Sequence, residues 1–109
     1  MDDLEKMKAG LWLHAIRPQI GEALRRAEEL VFELNRLAPS RREEREAIIR
    51  RLFGRIGRDF TIHSPFHCDF GEQISIGDHF VGNFNLTILD EAPVTIGDHV
   101  FIGPNVGLY

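Results

Sequence analysis

Apolar residues at Ile20, Ala23, Leu24, Ala27, Leu30, Val31, Leu34 and Leu37 advance by three or four positions, the stripe of an amphipathic helix with one buried face. Pro18 suits the first turn of that helix. The helix must end before Pro39, because proline disfavours helical geometry in the preceding residue and has no N–H for the ladder. Ser40-Arg41-Arg42-Glu43 reads as a capping box opening a second helix. The apolar face of this helix is Ile48, Ile49, Leu52, Phe53 and Ile56, and Gly54 and Gly57 mark its end. A shorter helix over about residues 4–13, containing Trp12, is predicted to pack with these two. The pattern places a helical segment of two to three helices over residues 1–58.

From residue 59 the period falls to two. Ile74-Ser75-Ile76-Gly77-Asp78-His79 recurs 20 residues later as Val94-Thr95-Ile96-Gly97-Asp98-His99. The match continues with Phe80 on Val100, Asn85 on Asn105, Leu86 on Val106 and Ile88 on Leu108. Within each copy, pairs two apart return every six residues: Ile74/Ile76, Phe80/Gly82 and Leu86/Ile88, then Val94/Ile96, Val100/Ile102 and Val106/Leu108. Alternation over two residues specifies a strand with one face inward, and resetting it every six residues at Gly or Asx specifies a turn. Three such strands close one triangular coil of a parallel β-helix, and stacked coils bury a continuous apolar column. Three six-residue steps fill 18 positions, so the offset of 20 leaves two extra residues, assigned to a loop at residues 89–93 where Asp90, Glu91 and Pro93 interrupt the pattern. The fold class is α+β: a helical segment over 1–58, then the first coils of a parallel β-helix over 59–109.

Charge sharpens this division. The chain has 109 residues with a net charge of −4, and all 13 Lys and Arg lie at or before Arg58. Residues 60–109 hold six acids and no Lys or Arg. The pairs Arg25-Arg26, Arg41-Arg42 and Arg50-Arg51 are interleaved with Glu22, Glu28, Glu29, Glu33, Glu43, Glu44 and Glu46. A solvated helical surface with i,i+4 pairs accounts for them, and no aromatic residues alternate with the cations as stacking on bases requires, so nucleic acid is not an expected partner. No apolar run approaches the length of a membrane span and the N-terminus lacks a signal-peptide core, so the chain is read as soluble, cytoplasmic and without a membrane partner. A single Cys68 excludes an internal disulfide. His63, His67 and Cys68 lack a fourth ligand, so no metal is expected. His79 and His99 fall at equivalent turns. Asp90 and Glu91 are adjacent, which in a strand points them to opposite faces and argues against an acid/base pair.

Phe66-His67-Cys68-Asp69-Phe70-Gly71, Ile74-Ser75-Ile76-Gly77, Asn83-Phe84-Asn85-Leu86-Thr87-Ile88, Asp90 and Val94-Thr95-Ile96-Gly97-Asp98, following a helical region that ends in Leu52-Phe53-Gly54, resemble the maltose and galactoside O-acetyltransferases of the hexapeptide-repeat superfamily. Met7-Lys8-Ala9-Gly10 is similar to the Met-x-Ala-Gly stretch that opens the family's helical segment. The resemblance implies a left-handed β-helix, assembly as a homotrimer, and transfer of acetyl from acetyl-CoA, as co-substrate, to a sugar hydroxyl at clefts between subunits.

By the same resemblance, Asn83 matches the asparagine that contacts the acceptor sugar, Glu91 a nearby acceptor-binding acid, and Asp69 a position held by Ser or Asp in relatives. The residues themselves also allow Asn83 to be a turn residue, and they make Asn85 a ladder residue of the β-helix. Val81 stands where some relatives carry tyrosine and Ala15 where some carry an acceptor-site aspartate. The family's catalytic histidine lies a few residues beyond the position of Tyr109, so no catalytic residue is assigned and the chain is expected to be a truncated, inactive portion of the enzyme. CoA phosphates call for cations or helix N-termini, and residues 60–109 carry no Lys or Arg, so no CoA contact is assigned. The alternative is a noncatalytic binding or assembly module, self-associating through the apolar edge at Val100, Ile102, Val106 and Leu108.

Overall fold

The computed structural model describes residues 18–109. The helix expected over residues 4–13, Ala15 and Met7-Lys8-Ala9-Gly10 lie outside the described residues. Helix α1 spans Pro18–Arg36 and helix α2 spans Arg42–Leu52. Ala27, Leu30 and Leu34 on α1 are buried with Ile48, Ile49 and Leu52 on α2, so the predicted stripes face one another. The capping box is not made. An intervening turn, in which the Arg41 N–H donates to the Ala38 carbonyl at 3.0 Å, moves the N-cap one residue along to Arg41, which makes no side-chain cap bond. Glu43 and Glu44 fill the first turn instead, where the helix dipole favours negative charge.

Nine short strands follow: β1 (Arg55–Ile56), β2 (Thr61–Ile62), β3 (Phe66–Cys68), β4 (Ile74–Ile76), β5 (Val81–Gly82), β6 (Leu86–Ile88), β7 (Val94–Ile96), β8 (Phe101–Ile102) and β9 (Gly107–Leu108). They form three parallel sheets, β1-β4-β7, β2-β5-β8 and β3-β6-β9, the three walls of the expected left-handed β-helix. The register is the 20-residue repeat, with Ile76 on Ile96, Val81 on Phe101 and Ile88 on Leu108. Ile74, Ile76, Phe80, Leu86 and Ile88 are fully buried in the column.

The repeat begins one coil earlier than its motif suggests. Arg55–Ile56 is already the first strand, paired with β4, inside the segment read as helical. Ile56, expected on the α2 face, therefore belongs to the β-helix: α2 ends at Leu52, and Phe53 turns extended at φ −81°, ψ 149°. Ile56-Gly57 corresponds to Ile76-Gly77, but Arg58 and Asp59 stand where the later copies have Asp and His, which hid the equivalence. The two-residue insertion also occurs twice, since residues 69–73 form the same corner as 89–93 one coil below.

Three polar side chains from the helices close the open edge of the first coil, one on each sheet. Asn35 both donates to the Phe66 carbonyl and accepts the Phe66 N–H, each at 2.9 Å, standing in for a neighbouring strand of β3. Arg45 donates to the Ile62 carbonyl of β2 at 2.9 Å, to Ser64 Oγ at 3.0 Å and to the Leu34 carbonyl of α1 at 2.8 Å. Arg50 donates to the carbonyls of Ile56 and Gly57, both at 3.1 Å, with its guanidinium 5.1 Å from the Phe60 ring centroid. The expected i,i+4 lacework is absent among the described residues, where the helical ion pair is Arg41 with Glu44 at i,i+3. The arginines answer backbone carbonyls because the end coil leaves those groups without a ladder partner.

The Ile-Gly-Asp-His motif has a position-by-position account. Ile points inward, and the Asp98 Oδ1 of one coil accepts the Asp78 N–H of the coil below at 2.7 Å, as Asp78 does from Arg58 at 3.0 Å. A Cβ on Gly77 would run into that Asp98 carboxylate, so the glycine makes room for the acid of the next coil. The residue two places after the glycine, Asp59, His79 or His99, turns the corner at φ 56°, 58° or 57°, and the His79 and His99 rings stack 4.7 Å apart. Asn85 and Asn105 do the same at the next corner, at φ 60° and 59°, joined by an Asn85 Nδ2 to Asn105 Oδ1 bond of 3.0 Å.

Gly77→Ala is expected to lower stability by about 1–3 kcal/mol through overpacking. Gly97→Ala, at the same motif position but with no described atom within 4 Å of the added Cβ, is expected to cost far less, as thermal unfolding of the two variants will show. Arg45→Met, which strands buried carbonyls, is expected to cost about 2 kcal/mol or more, against a negligible loss for the exposed Arg42→Met.

Candidate functional site

The structure sorts the candidate residues by corner. Asp69 follows β3 and Glu91 follows β6, so the 20-residue register stacks their corners, residues 69–73 and 89–93, one above the other. Asn83 follows β5 and lies at the opposite end of β6. The structure thus brings Asp69 and Glu91 to one corner and places Asn83 at the other edge of the same sheet, with His67 and Thr87 in register on the outer face between them.

At the Asp69 corner the backbone departs from ladder register, and its N–H groups need other acceptors. Asp90 supplies them. It is fully buried, with Oδ1 accepting the N–H of Asp69 at 3.1 Å and of Phe70 at 2.9 Å, and Oδ2 accepting that of Gln73 at 3.3 Å. Gln73 Nε2 in turn donates to the carbonyls of Asp90 at 2.8 Å and Glu91 at 3.2 Å. Asp90, a poor catalytic partner for Glu91 by its adjacency in sequence, thus has a structural task, and Gln73 belongs to none of the sequence motifs. The signal that finds both is the eight-residue step from the inward pair Phe66/Cys68 to Ile74/Ile76, which repeats in the step from Leu86/Ile88 to Val94/Ile96 and identifies the two corners as equivalent.

Asp69 Oδ2 is buried with no hydrogen-bond partner. Burial first, then the neighbouring charges of Glu91 and Asp90, push the Asp69 carboxyl above its ordinary value of 3.8. The same surroundings act on Cys68, whose thiol burial, Asp90 and Asp69 push up to about 12. A thiol so far above neutrality is not a nucleophile. The corner holds carboxylates and amide groups and no Lys or Arg, a donor and acceptor set suited to neutral polyhydroxy ligands and hostile to phosphates.

At the other end of β6, Asn83 Oδ1 accepts the Phe84 N–H at 2.8 Å, which orients the side chain. Phe84 is half exposed, its ring 4.9 Å from that of His63. Both line an open cleft of about 640 Å³ beneath the α1–α2 connection, floored by Arg45 and Ser64 and excluding Asp69 and Glu91. His63 thus lies against Phe84 while His67 stands exposed on β3, and among the described residues no group of three His, Cys, Asp or Glu is placed to hold a metal ion. No described helix is long and apolar enough to cross a membrane.

Residues 6–57 match the maltose acetyltransferase hexapeptide capping motif, whose described part comprises α1, α2 and the first strand of the first coil. The chain is 38% identical over 104 residues to the galactoside O-acetyltransferase of Escherichia coli (strain K12), covering 95% of this chain and 51% of that protein. A hexapeptide-repeat acetyltransferase from Vibrio cholerae, solved in complex with acetyl coenzyme A, superposes with a TM-score of 0.79 at 43% identity, over 84% of this chain and 49% of that one. A maltose O-acetyltransferase from Clostridium difficile 630 superposes with a TM-score of 0.82 at 29% identity, over 87% and 51%. The chain spans about half the length of the curated relatives it matches.

A carboxyl raised in the folded state holds its proton to higher pH there than in the unfolded chain, so it lowers stability as pH rises from 3.8 through the raised value. Asp69→Asn is therefore expected to be at least as stable as the parent at pH 7, with the difference vanishing below pH 3.8. Thermal unfolding across pH, with an NMR titration of the Asp69 carboxyl, checks both statements.

Proposed function

The chain belongs to the maltose and galactoside O-acetyltransferases of the hexapeptide-repeat superfamily, matching their N-terminal portion, and on that premise we propose that it forms the acceptor-binding part of an acetyl-CoA-dependent sugar O-acetyltransferase. The observation that carries the reading is the pairing of Asp69 and Glu91 at one acid-rich corner lacking any cation. Glu91 accepts hydrogen bonds from sugar hydroxyls there. Asp69, which holds its proton above the ordinary range, donates to a sugar oxygen when protonated. Asn83, with its oxygen turned to Phe84, presents its amide nitrogen as a donor.

Asn83 and the Asp69 corner occupy opposite edges of one sheet, which fits assembly as a trimer. In a threefold ring each cleft takes the Asn83 edge of one subunit and the Asp69 edge of its neighbour, so one sugar meets all three residues. In the transfer, the sugar hydroxyl oxygen attacks the thioester carbonyl, an ester C–O bond forms, the C–S bond breaks and CoA leaves as thiol, while a base takes the hydroxyl proton. None of the described histidines lies at the Asp69 corner, and we assign the base to none of them. Acetyl-CoA serves as co-substrate, held by groups other than the acids described here.

Ligand-observed NMR with maltose and with methyl β-galactoside is expected to show binding of at least one sugar. Glu91→Ala is expected to weaken it about tenfold, as for loss of a hydrogen bond to a charged group. Absence of binding by either sugar, or equal binding by the variant, would overturn the acceptor reading. Release of CoA thiol dependent on sugar tests the transfer itself, and sugar binding without that release would mark a noncatalytic binding module.

A further inference from the structure

The corners that carry Asp69 and Glu91 are fastened to each other in a way no other corner of the described structure is. Five hydrogen bonds cross between them in both directions. Asp90 reaches down from the upper corner to three N–H groups of the lower one, and Gln73 reaches up to two carbonyls of the upper one. Two of those five backbone groups belong to the acceptor residues themselves, the Asp69 N–H and the Glu91 carbonyl. The interlock is asymmetric, since the positions equivalent to Asp90 and Gln73 in the other corner are Phe70 and Pro93. It is thus a device of this one pair of corners and not a rung of the repeat.

The chemistry requires both partners as they are. Three converging N–H donors need the two acceptor oxygens of a carboxylate, and an amide offers one oxygen and would oppose a third N–H with its own. Two carbonyls from adjacent residues need a side chain with two donors on one nitrogen, which glutamine supplies.

We infer that Asp90 and Gln73 are positioning residues of the acceptor subsite, interlocking the two corner loops so that Asp69 and Glu91 stand at a fixed separation. The inference rests on the reading of Asp69 and Glu91 as sugar ligands. Neither positioning residue touches the sugar. Their effect is on orientation, to which binding and transfer are steeply sensitive.

The test uses the chain itself, with maltose and methyl β-galactoside as probes. Gln73→Met removes both side-chain donors at similar length from a half-buried position, and Asp90→Asn keeps one acceptor oxygen while releasing the Gln73 N–H. Asp98→Ala serves as a matched control, since it removes an equivalent aspartate-to-backbone bond at a different corner. Gln73→Met and Asp90→Asn are each expected to weaken sugar binding roughly tenfold, with faster hydrogen exchange at the Gln73 amide in Asp90→Asn. Asp98→Ala is expected to lower the melting temperature without changing sugar affinity. Parental sugar affinity in both corner variants, with the Gln73 amide shown to be released in Asp90→Asn, would overturn the positioning role. So would a loss of affinity in Asp98→Ala equal to theirs, which would mark a general loss of stability. A parent chain that binds neither sugar overturns the acceptor reading and this inference with it, and hydrogen exchange then still reports whether the interlock exists.

Discussion

A stack of parallel coils has two ends, and each end leaves a ring of backbone groups without a ladder partner. Unpaired edges cost stability and invite adventitious pairing, so the first coil of this protein can exist only if something else answers its N–H and C=O groups. The helical region does so with one polar side chain for each wall of the prism. Asn35 serves β3 as both donor and acceptor, Arg45 bridges β2 to the end of α1, and Arg50 serves β1. The apolar contacts follow the same geometry, with Phe53 at the end of α2 edge-on to Phe66 at 5.3 Å. The helices and the β-helix are therefore one cooperative body, and the match of residues 6–57 to a capping motif acquires a physical meaning.

Once the first coil is closed, the rest propagates by local rules. Each Ile-Gly-Asp unit places an apolar side chain inward, leaves space for an acid and supplies that acid to the coil below. The positive-φ corners are taken by Asp59, His79, His99, Asn85 and Asn105, of the residue types enriched in that conformation. Such a repeat makes stacking nearly independent of the outer faces and of any corner outside the rule. The two inserted residues at the Asp69 and Glu91 corners exploit that freedom. They break ladder register, expose backbone groups to be paired anew, and collect carboxyl groups in a region with no compensating cation.

Much of the architecture was legible in the chain. The switch of apolar period, the 20-residue offset and the inward pairs predict the helices, the parallel strands and their register, because each depends only on which side chains must face a common interior. The failures are equally specific. Ser40 could not be seen to miss its cap, since an unsuspected turn from Ala38 to Arg41 decides that. Arg45 and Arg50 could not be told from the solvated arginines beside them, because what distinguishes them is a carbonyl contributed by a strand elsewhere in the chain. For Asp90 and Gln73 the eight-residue step marks the two corners as equivalent, but which side chain of one coil reaches which backbone group of the next is hidden for the same reason.

The sequence by itself determined the periodicities, the stacking register and, through family resemblance, the candidates Asp69, Asn83 and Glu91, since these follow from side-chain type and spacing along the chain. Only the tertiary structure decided that Asp69 and Glu91 share a corner, that Asn83 stands across a sheet from them, and that Asp90 and Gln73 lock the corner together. Those relations depend on which coil lies above which and on where irregular backbone leaves a hydrogen-bonding group exposed. Such facts exist only once residues 20 apart in the chain have been brought into contact.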